Sequence, residues 1–294
     1  MKELSYCLIV NKSSNSGRAI HVINKHLLQI QSYLKNFEIY EVGEAESISE
    51  IASLKAQKFD VVVACGGDGT ARSVATGIKD HEALLGILPL GSGNDFAKML
   101  GLTNSFLDNL NVLKNGVTQD LDIGVVNNNT YFINTFGLGF DGYTNYLASK
   151  TKIKGSLKYI VSGLRALFIS KSFNATIKTE DGSETFNTLM IIVANGKWEG
   201  GKYFVSPKSL NNDGVMELII LKKISRINLA FEFIKLSLGK PLPNDLIVHK
   251  HVNKVTINTS LPIFNHADGE IEKNDNSFSI DLISGKIKVL IQKF

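Results

Sequence analysis

The stretch Asp60-Val61-Val62-Val63-Ala64-Cys65-Gly66-Gly67-Asp68-Gly69-Thr70 decides how the first part of the chain folds. Its apolar first half is typical of a β-strand that is buried on both faces, and the glycines predict a sharp turn into a helix from Ala71. Glycine lets the backbone approach a ligand closely, and the N–H groups at a helix start attract anions. The stretch therefore predicts an anion-binding turn at the carboxyl end of a parallel strand.

Asp68 is an unexpected residue in such a turn. No lysine follows the glycines, so this is not a Walker A loop. A carboxylate among phosphate-binding groups would repel phosphate unless a Mg²⁺ ion stands between them, and this favours a metal-binding role for Asp68. The alternative is a structural glycine-rich turn with a capping aspartate.

Two further turns have the same composition and the same position after a strand. Gly91-Ser92-Gly93-Asn94-Asp95 follows the predicted strand Leu85–Leu90, and Asn11–Arg18 follows the predicted strand Ser5–Asn11. Ser92 could bond a phosphate or a ribose, whereas Asn94 or Asp95 could simply cap the next helix. Because parallel strands end at one edge of a sheet, the three turns together predict a nucleotide site.

Short strands and helices alternate over the first 120 residues, which favours a parallel sheet covered on both faces. The predicted strands are Ser5–Asn11, Phe37–Val42, Asp60–Cys65 and Leu85–Leu90, and the predicted helices are Arg18–Lys35, Ser47–Gln57, one from Ala71, and Asp95–Leu100.

After about Asp120 the pattern becomes that of an antiparallel β structure, with short strands rich in β-branched residues and turns rich in Asn, Asp and Gly. The predicted strands are Leu121–Val126, Thr130–Thr135, Phe173–Thr179, Thr188–Ala194, Val215–Leu221, Lys254–Thr259, Ser277–Leu282 and Lys286–Ile291, interrupted by the helices Ser156–Ile169 and Ile227–Leu238. We predict a Rossmann-like three-layer α/β domain over residues 1–120, followed by an antiparallel β-sandwich over residues 121–282. The cleft between two such domains is the default place for chemistry.

Composition agrees with an ordinary globular protein. The chain has 294 residues, of which 44% are hydrophobic and 20% charged, which argues against disorder or a membrane bundle. Its two cysteines, Cys7 and Cys65, lie in apolar strands and provide neither a metal site nor a disulfide framework. Residues 1–10 are typical of a strand rather than a signal peptide, and no apolar stretch is long enough to cross a bilayer. We expect a cytoplasmic protein whose membrane contact is peripheral.

Positive charge is concentrated in one segment, although the net charge of +4 is modest. No acidic residue lies between Asp141 and Glu180. Such a segment would attract anionic phosphates of a nucleotide, a lipid headgroup or nucleic acid, or it is a solvated basic face. No motif that reads DNA or RNA accompanies it, so we expect no nucleic-acid partner. Its basic residues are Lys150, Lys152, Lys154, Lys158, Arg165, Lys171 and Lys178.

These motifs resemble the diacylglycerol kinase catalytic-domain family, which includes sphingosine and ceramide kinases and soluble bacterial lipid kinases. The resemblance covers nearly the whole chain, although Lys12 stands where the family has a proline. The last strand of this family often packs against the first domain, so residues 283–294 are expected to join it. The matching segments are 66–70, 91–97, Leu121-Asp122-Ile123-Gly124, Asn134 to Gly142, and His266-Ala267-Asp268-Gly269-Glu270.

The resemblance implies binding sites for ATP and Mg²⁺. The catalytic Mg²⁺ is expected on Asp68, supported by Asp95 and Asp122. A second, structural Mg²⁺ is expected on Asp213 and the carbonyl groups of Leu210 and Val215. The residues expected to bind ATP are Asn11, Ser13, Gly17, Gly66, Gly67, Asp68, Gly69, Thr70, Arg72, Ser92, Asn94 and Asp95.

The resemblance also implies that Asp268 or Glu270 removes the proton from the acceptor hydroxyl, and which of the two does so stays open. Taken alone, the pair would be a turn aspartate and a strand glutamate. The helix Ile227–Leu238 could line an acyl pocket, touch the bilayer with Lys235 and Lys240 at headgroup level, or be a core helix.

The function that follows is transfer of the ATP γ-phosphoryl group to a lipid hydroxyl, with diacylglycerol as the favoured acceptor and phosphatidic acid as the product. Peripheral contact with an anionic membrane is expected, and a homodimer is left open. One alternative is an NAD kinase, although the chain has no Asn-Glu pair of the kind that family uses. Another is a non-catalytic nucleotide-binding membrane sensor, which would be expected to lack Asp68 or Asp268.

Overall fold

The computed structural model describes residues 3–43, 45–153 and 157–293. Lys154 of the predicted basic segment and Ser156 of a predicted helix lie outside the described residues. The chain forms two compact units, which are Met1–Leu121 with Gly285–Phe294, and Asp122–Ser284.

The first unit alternates strands with helices, and a short 3-10 turn precedes its first helix. The last strand of the chain, Asp275–Ile291, ends in this unit. The other elements, in chain order, are β1 (Ser5–Asn11), α1 (Arg18–Lys25), α2 (Leu27–Tyr33), β2 (Asn36–Val42), α3 (Ile48–Ala56), β3 (Val61–Gly66), α4 (Asp68–Ile78), β4 (Leu84–Pro89), α5 (Asp95–Met99), α6 (Phe106–Asn115) and the start of β5 (Val117–Val126).

Its sheet is parallel, in the order β4-β3-β1-β2, and Val289 of the last strand pairs with Leu85 beside β4. All six residues of β3 are buried, as expected for a strand covered on both faces. Gly66 pairs with Pro89, so β3 and β4 end at the same level. The prediction of a doubly covered parallel sheet is confirmed.

Three details of this unit differ from the predicted elements. The predicted helix over residues 18–35 is two helices, because the backbone of His26 leaves the helical region where its ring stacks on Phe106 at 4.6 Å between centroids. Helix α4 begins at Asp68 rather than at Ala71, since the extended Gly67 already serves as its N-cap. Helix α6 was not predicted.

The described residues of the second unit form mainly antiparallel β structure, with helices packed on it. Its elements after β5 are β6 (Thr130–Phe132), β7 (Thr135–Gly139), α7 (Phe140–Lys150), α8 (Leu157–Ile169), β8 (Phe173–Thr179), β9 (Gly182–Ala194), β10 (Trp198–Glu199), β11 (Tyr203–Phe204), β12 (Met216–Lys222), α9 (Arg226–Ser237), β13 (Ile247–Val252), β14 (Lys254–Ile263), β15 (Asn265–Ala267), β16 (Glu270–Ile271) and β17 (Asp275–Ile291).

Strand β9 is the centre of this unit, because it pairs antiparallel with β7, β8 and β12. Strand β14 joins β8 to β17, and β15 joins β7 to β16. One face of β9 packs in the sandwich-like core with Phe136, Leu218 and Phe278. Its other face packs against helices α7, α8 and α9 through residues such as Phe140 and Phe233. The predicted sandwich-like second fold is confirmed.

Helix α7 and strands β13, β15 and β16 were not predicted. Helix α7 contains Gly142, Thr144 and Asn145, which are weak helix formers. The helix forms nonetheless because it buries these residues together with Phe140 and Ala148.

Candidate active site

Two glycine turns are in direct backbone contact at the carboxyl edge of the first unit's sheet. A Cβ atom on Gly91 would lie 2.3 Å from the Cα of Gly67, so this approach requires glycine. Asn94 holds the second turn by accepting from the Gly91 N–H at 3.0 Å and donating to the Gly91 carbonyl at 3.1 Å. Its backbone is left-handed, with φ of 55°, which asparagine tolerates. The two turns therefore form one surface of closely spaced backbone groups.

The first turn of the chain is tied to the same edge. Asn11, at the end of β1, donates from Nδ2 to the Thr70 hydroxyl at 3.1 Å and accepts from the Ser13 N–H at 3.0 Å. Strands β1 and β3 are neighbours at which the chain order reverses, and such a switch point is the usual ligand site of an open α/β sheet.

Asp68 has a contact that the sequence did not predict. Its Oδ1 atom accepts the Phe96 N–H at 2.9 Å, so the carboxylate of α4 caps the neighbouring helix α5. Asn94 and Asp95 were the predicted caps, but Asn94 makes no side-chain cap bond. Asp95 is buried and forms an ion pair with Lys98 at 3.1 Å. Asp68 is thus fixed in place at the junction of the two glycine turns.

The other residues predicted to bind nucleotide also lie in the first unit. Gly17 has φ of 86° and caps α1, and a Cβ on Gly66 would lie 2.3 Å from the Thr70 hydroxyl oxygen. Gly69 and Arg72 belong to α4 rather than to a loop, and Ser92 is exposed. The turn between β3 and α4 is therefore short, because the predicted phosphate-binding segment continues directly into the first turn of α4.

In the second unit, Asp268 holds three backbone amides. Its two carboxylate oxygens accept the N–H groups of Ile133 at 2.8 Å, Asn134 at 2.8 Å and Thr135 at 2.9 Å. Its own backbone is left-handed, with φ of 51°, and its N–H donates to the Thr135 carbonyl. A carboxylate that already accepts three hydrogen bonds is a weaker proton acceptor than one that does not.

The turn from Asp268 to Glu270 lies against a buried polar cluster of Asp141, Glu199 and His266. His266 Nε2 lies 2.9 Å from Asp141 Oδ2 and 3.2 Å from Glu199 Oε1, and its Nδ1 accepts the Gly269 N–H at 3.0 Å. Asn145 donates to Glu199 at 3.1 Å. The cluster thus supports the turn that leads into Glu270, which is exposed and begins strand β16.

Burial and the charges within the cluster shift the pKa values of Glu199 and His266. Burial, and then the Asp141 carboxylate, raise the pKa of Glu199. Burial lowers the pKa of His266, but the Asp141 and Glu199 carboxylates outweigh it and raise that pKa well above the usual imidazole range. The Gly269 N–H needs a lone pair on Nδ1, so a neutral His266 ring carries its proton on Nε2.

Some oxygen atoms near Asp122 suit a hard cation or its bound water. Asp122 Oδ2 accepts the Gly214 N–H at 2.8 Å, and Asn195 donates to the Asp122 carbonyl at 2.9 Å. The amide oxygens of Asn134 and Asn195 are buried without a partner among the described residues. Mg²⁺ prefers such oxygen ligands, so the donor set fits the ion.

The predicted second cation loop is a hydrogen-bonded turn. Asp213 Oδ1 accepts the Val215 N–H at 3.2 Å, and Leu210 is exposed. Asp213 Oδ2 forms no hydrogen bond or ion pair within the part of the chain that the structure describes. One carboxylate oxygen is thus available to a cation there.

Helix α9 has one buried face and one exposed face. Leu229, Phe233 and Leu236 are buried, and Phe233 and Leu236 line a cavity of about 40 Å³ with Asp141 and Glu199 at its wall. Its outer face exposes large apolar side chains, described below. The core interpretation therefore holds for one face only.

Sequence reasoning missed several members of the polar cluster. Glu199 and Asn145 lie outside every motif considered, whereas Asp141 and His266 belonged to segments that resembled the family without being assigned a role. The contacts join residues as far as 125 positions apart, as for His266 and Asp141. A buried histidine between two acidic residues has no local sequence signal.

Comparison with known proteins places these features in a family. Residues 5–126 match the diacylglycerol kinase catalytic domain, and residues 134–290 match the YegS C-terminal NAD kinase beta sandwich-like domain. A Bacillus subtilis (strain 168) protein named diacylglycerol kinase is 33% identical over 274 residues, which are 87% of this chain and 86% of that protein. The chain belongs to the diacylglycerol kinase family. It is therefore an ATP-dependent lipid kinase.

Two further proteins are similar to this chain over nearly its whole length. A Streptococcus pneumoniae serotype 4 protein with a lipid-kinase name is 28% identical over 297 residues, covering 97% of this chain and 95% of that protein. The crystal structure of a diacylglycerol kinase from Bacillus anthracis superposes with a TM-score of 0.77 at 20% identity, covering 99% of this chain and 98% of the other. That likeness shows the shared fold.

None of the described helices combines the length and the hydropathy that crossing a bilayer requires.

Proposed function

We propose that this lipid kinase transfers the γ-phosphoryl group of ATP to the hydroxyl of diacylglycerol and so makes phosphatidic acid. The Bacillus subtilis relative, which matches over 87% of the chain, carries the name diacylglycerol kinase, and this supports the choice of lipid. The observation that carries the reaction type is the contact of Gly67 with Gly91, since two turns in backbone contact at the end of a parallel sheet suit a polyphosphate.

In the first unit, the triphosphate would bind along Gly67, Gly91 and the first turn of α4. The first N–H groups of a helix have no intrahelical partner and carry partial positive charge, so they favour phosphate oxygens. Asn11 and Thr70 hold the opening turn and α4 at a fixed spacing through their 3.1 Å hydrogen bond. Phosphoryl transfer depends mainly on such positioning and on charge neutralisation.

Glu270 is the better candidate for the residue that accepts the proton of the lipid hydroxyl. The oxygens of Asp268 already hold three backbone amides, so we assign Asp268 to positioning. The Gly269 N–H is bonded to His266, which fixes the turn immediately before Glu270. Proton removal by a positioned carboxylate contributes roughly 10²–10⁴-fold to rate.

Within the first unit Asp68 and Asp95 would hold Mg²⁺, and within the second unit Asp122 and Asp213 are the carboxylates that would hold an ion. When bound, Mg²⁺ neutralises charge on the phosphate oxygens. Asp68 is suited to this because its link to the Phe96 N–H fixes one oxygen while α4 fixes its backbone.

The lipid is reached, we further propose, by docking of helices α8 and α9 on an anionic membrane. The ring of Phe233 of α9 packs against Gly163 of α8, where a Cβ atom on Gly163 would lie 2.1 Å from the Phe233 ring. The two helices therefore form one surface. Basic residues Lys158, Arg165 and Lys171 lie on or next to α8. An exposed apolar patch with a basic surround is typical of a membrane-binding surface. Its exposed apolar members are Leu157, Leu164, Phe168, Ile169, Ile227, Phe231, Ile234 and Leu238.

The reaction is tested by transfer of label from γ-labelled ATP, with Mg²⁺, into a panel of diacylglycerol, a sphingoid base, phosphatidylglycerol, a polyprenol and NAD. Wild type is compared with Glu270→Gln and with Glu180→Gln, which makes the same change at an exposed turn of the second unit. We expect label in diacylglycerol with wild type and Glu180→Gln, and at least about 100-fold slower transfer with Glu270→Gln.

Label in another lipid would overturn the choice of diacylglycerol, and label in NAD would overturn the lipid substrate. Equal rates for Glu270→Gln and wild type would remove Glu270 from the reaction. ATP binding without transfer to any acceptor would favour the membrane sensor.

Membrane docking is tested by sedimentation with phosphatidylglycerol vesicles and, separately, phosphatidylcholine vesicles. Burying a Phe side chain is worth about 1.5–3 kcal/mol, so the double change Phe168→Ser and Phe231→Ser should weaken binding at least about tenfold. The matched control is Leu28→Ser, since Leu28 is 79% exposed on α2 of the first unit. Equal binding by the double variant, or no preference for the anionic vesicles, would contradict docking through this patch.

A further inference from the structure

Two histidines and a buried glutamate share one face of the β12–β13 strand pair. His249 and His251 are two residues apart on β13, so their side chains point to the same side. The antiparallel register places Glu217 of β12 opposite His251. We propose that Glu217, His249 and His251 bind a divalent transition-metal ion of the zinc type. None of the three is among the residues assigned above to Mg²⁺.

The distances between the donor atoms suit such an ion. Glu217 Oε2 is hydrogen-bonded to His249 Nε2, and Glu217 Oε1 lies 3.6 Å from His251 Nδ1. One donor atom from each residue lies within 4.8 Å of the other two. Zinc–ligand bonds of about 2.0–2.2 Å place two donors on a tetrahedral ion roughly 3.4 Å apart. Rotation of the His251 ring, whose side chain is 59% exposed, is enough to bring the third donor in.

The charge of Glu217 also favours a cation. Its side chain is 3% exposed, and among the residues that the structure describes it pairs with the two histidines and with no lysine or arginine. A buried carboxylate needs a proton, a positive charge or a metal. Imidazole nitrogen with carboxylate oxygen is a typical donor set for zinc, and three protein ligands leave a position open to water.

The Asp141–Glu199–His266 cluster has similar composition but does not suit a metal. His266 Nδ1 accepts the Gly269 N–H, so Nε2 carries the proton and has no lone pair to offer. No backbone N–H in the described chain fixes His249 or His251 in this way. Metal binding would replace the hydrogen bond between His249 and Glu217 by a bond from each residue to the ion, and a neutral His249 ring would then carry its proton on Nδ1.

The site is tested on the full chain after chelator treatment, by titration with Co²⁺ followed by visible absorption and then by displacement with Zn²⁺. We expect saturation at one ion per chain, a spectrum of low-coordinate Co²⁺ rather than of the hydrated ion, and no competition by excess Mg²⁺. Changing a residue that only supports a metal ligand lowers metal affinity ~10–100-fold. His249 and His251 are proposed as direct ligands, so His249→Ala and His251→Ala should each weaken Co²⁺ binding at least about 100-fold.

The matched control is His21→Ala, an exposed histidine of α1 in the first unit, which should bind Co²⁺ like wild type. Because His251 is largely exposed, His251→Ala should fold, and circular dichroism checks that it does. Unchanged affinity in both β13 variants, a hydrated-ion spectrum, or loss of binding in His21→Ala would overturn the proposal. Kinase activity is not the readout, so failure here leaves the proposed reaction intact.

Discussion

Replacing Asp268 by Asn should destabilise the second unit without touching the exposed surface. Asparagine tolerates the left-handed backbone of this position, so the substitution isolates the hydrogen bonds from backbone strain. The carboxylate now serves the amides of Ile133, Asn134 and Thr135 with two oxygens. Asparagine offers one oxygen, and its NH₂ group would face a backbone N–H.

The magnitude follows from these three bonds. One buried amide is left unsatisfied, which costs about 1–3 kcal/mol, and two bonds change from charge-assisted to neutral, at a loss of about 0.5–1.5 kcal/mol each. Allowing for relaxation, we expect the free energy of unfolding of the second unit to fall by roughly 2–4 kcal/mol. With a urea m-value of about 2 kcal/mol/M, the midpoint should fall by roughly 1–2 M.

Fluorescence of Trp198 measures this unit selectively, because it is the one tryptophan of the chain and lies on β10. Glu180→Gln is the matched control, since it changes an exposed turn residue of the same unit and such a surface change stays within about 0.5 kcal/mol. An Asp268→Asn midpoint equal to that of wild type would refute the positioning role, and with it the reason for preferring Glu270 as the proton acceptor.

Three further experiments test other features. Glu199→Gln removes a carboxyl group whose pKa is raised by burial and by Asp141. Because the folded state holds the proton of Glu199 more tightly than the unfolded chain does, this group stabilises the fold at acidic pH. The stabilisation is lost as the pH rises above 4.5 through the raised pKa of the folded state. As the pH rises through this range, the unfolding free energy of wild type should therefore fall relative to that of the variant. Parallel profiles of unfolding free energy against pH would contradict a raised pKa of Glu199. Gly91→Ala places a methyl group 2.3 Å from the Cα of Gly67, and this overpacking costs about 1–3 kcal/mol. Calorimetry should therefore show ATP binding weakened at least about tenfold. Unchanged ATP affinity would exclude these two turns from the nucleotide site. Burial raises the pKa of Cys7 to about 12 and raises that of Cys65 well above its ordinary value. Ellman's reagent at about pH 8 should therefore label neither thiol until urea is added. Rapid labelling of the native protein would show that the strands open.

The parallel sheet and the glycine turns at one of its edges could be predicted because each signal is local. A strand of valines followed by Gly66 and Gly67 reports a buried strand and a close backbone approach in consecutive residues. The edge then follows from topology, since parallel strands end together. What could not be predicted is that the carboxylate of Asp68 caps α5, because that bond depends on how two turns pack.

The polar support of the Glu270 turn was beyond sequence reasoning for a different reason. Helix α7, which supplies Asp141 and Asn145, contains weak helix formers and is stabilised by burial rather than by propensity. The role of Asp268 was equally hidden, since an aspartate before glycine is usually an ordinary turn residue. Tertiary contacts alone distinguish it from Glu270.

The first unit is discontinuous in sequence, since residues 285–294 belong to it. Ile287, Val289 and Leu290 are buried there, and Val289 pairs with Leu85 beside β4. A ribosome delivers these residues after the whole of the second unit has been made. The parallel sheet of the first unit therefore cannot complete its edge during synthesis as an autonomous amino-terminal domain would. We expect nascent chains halted before Gly285 to display an unfinished edge of this sheet to chaperones until the last strand has been translated.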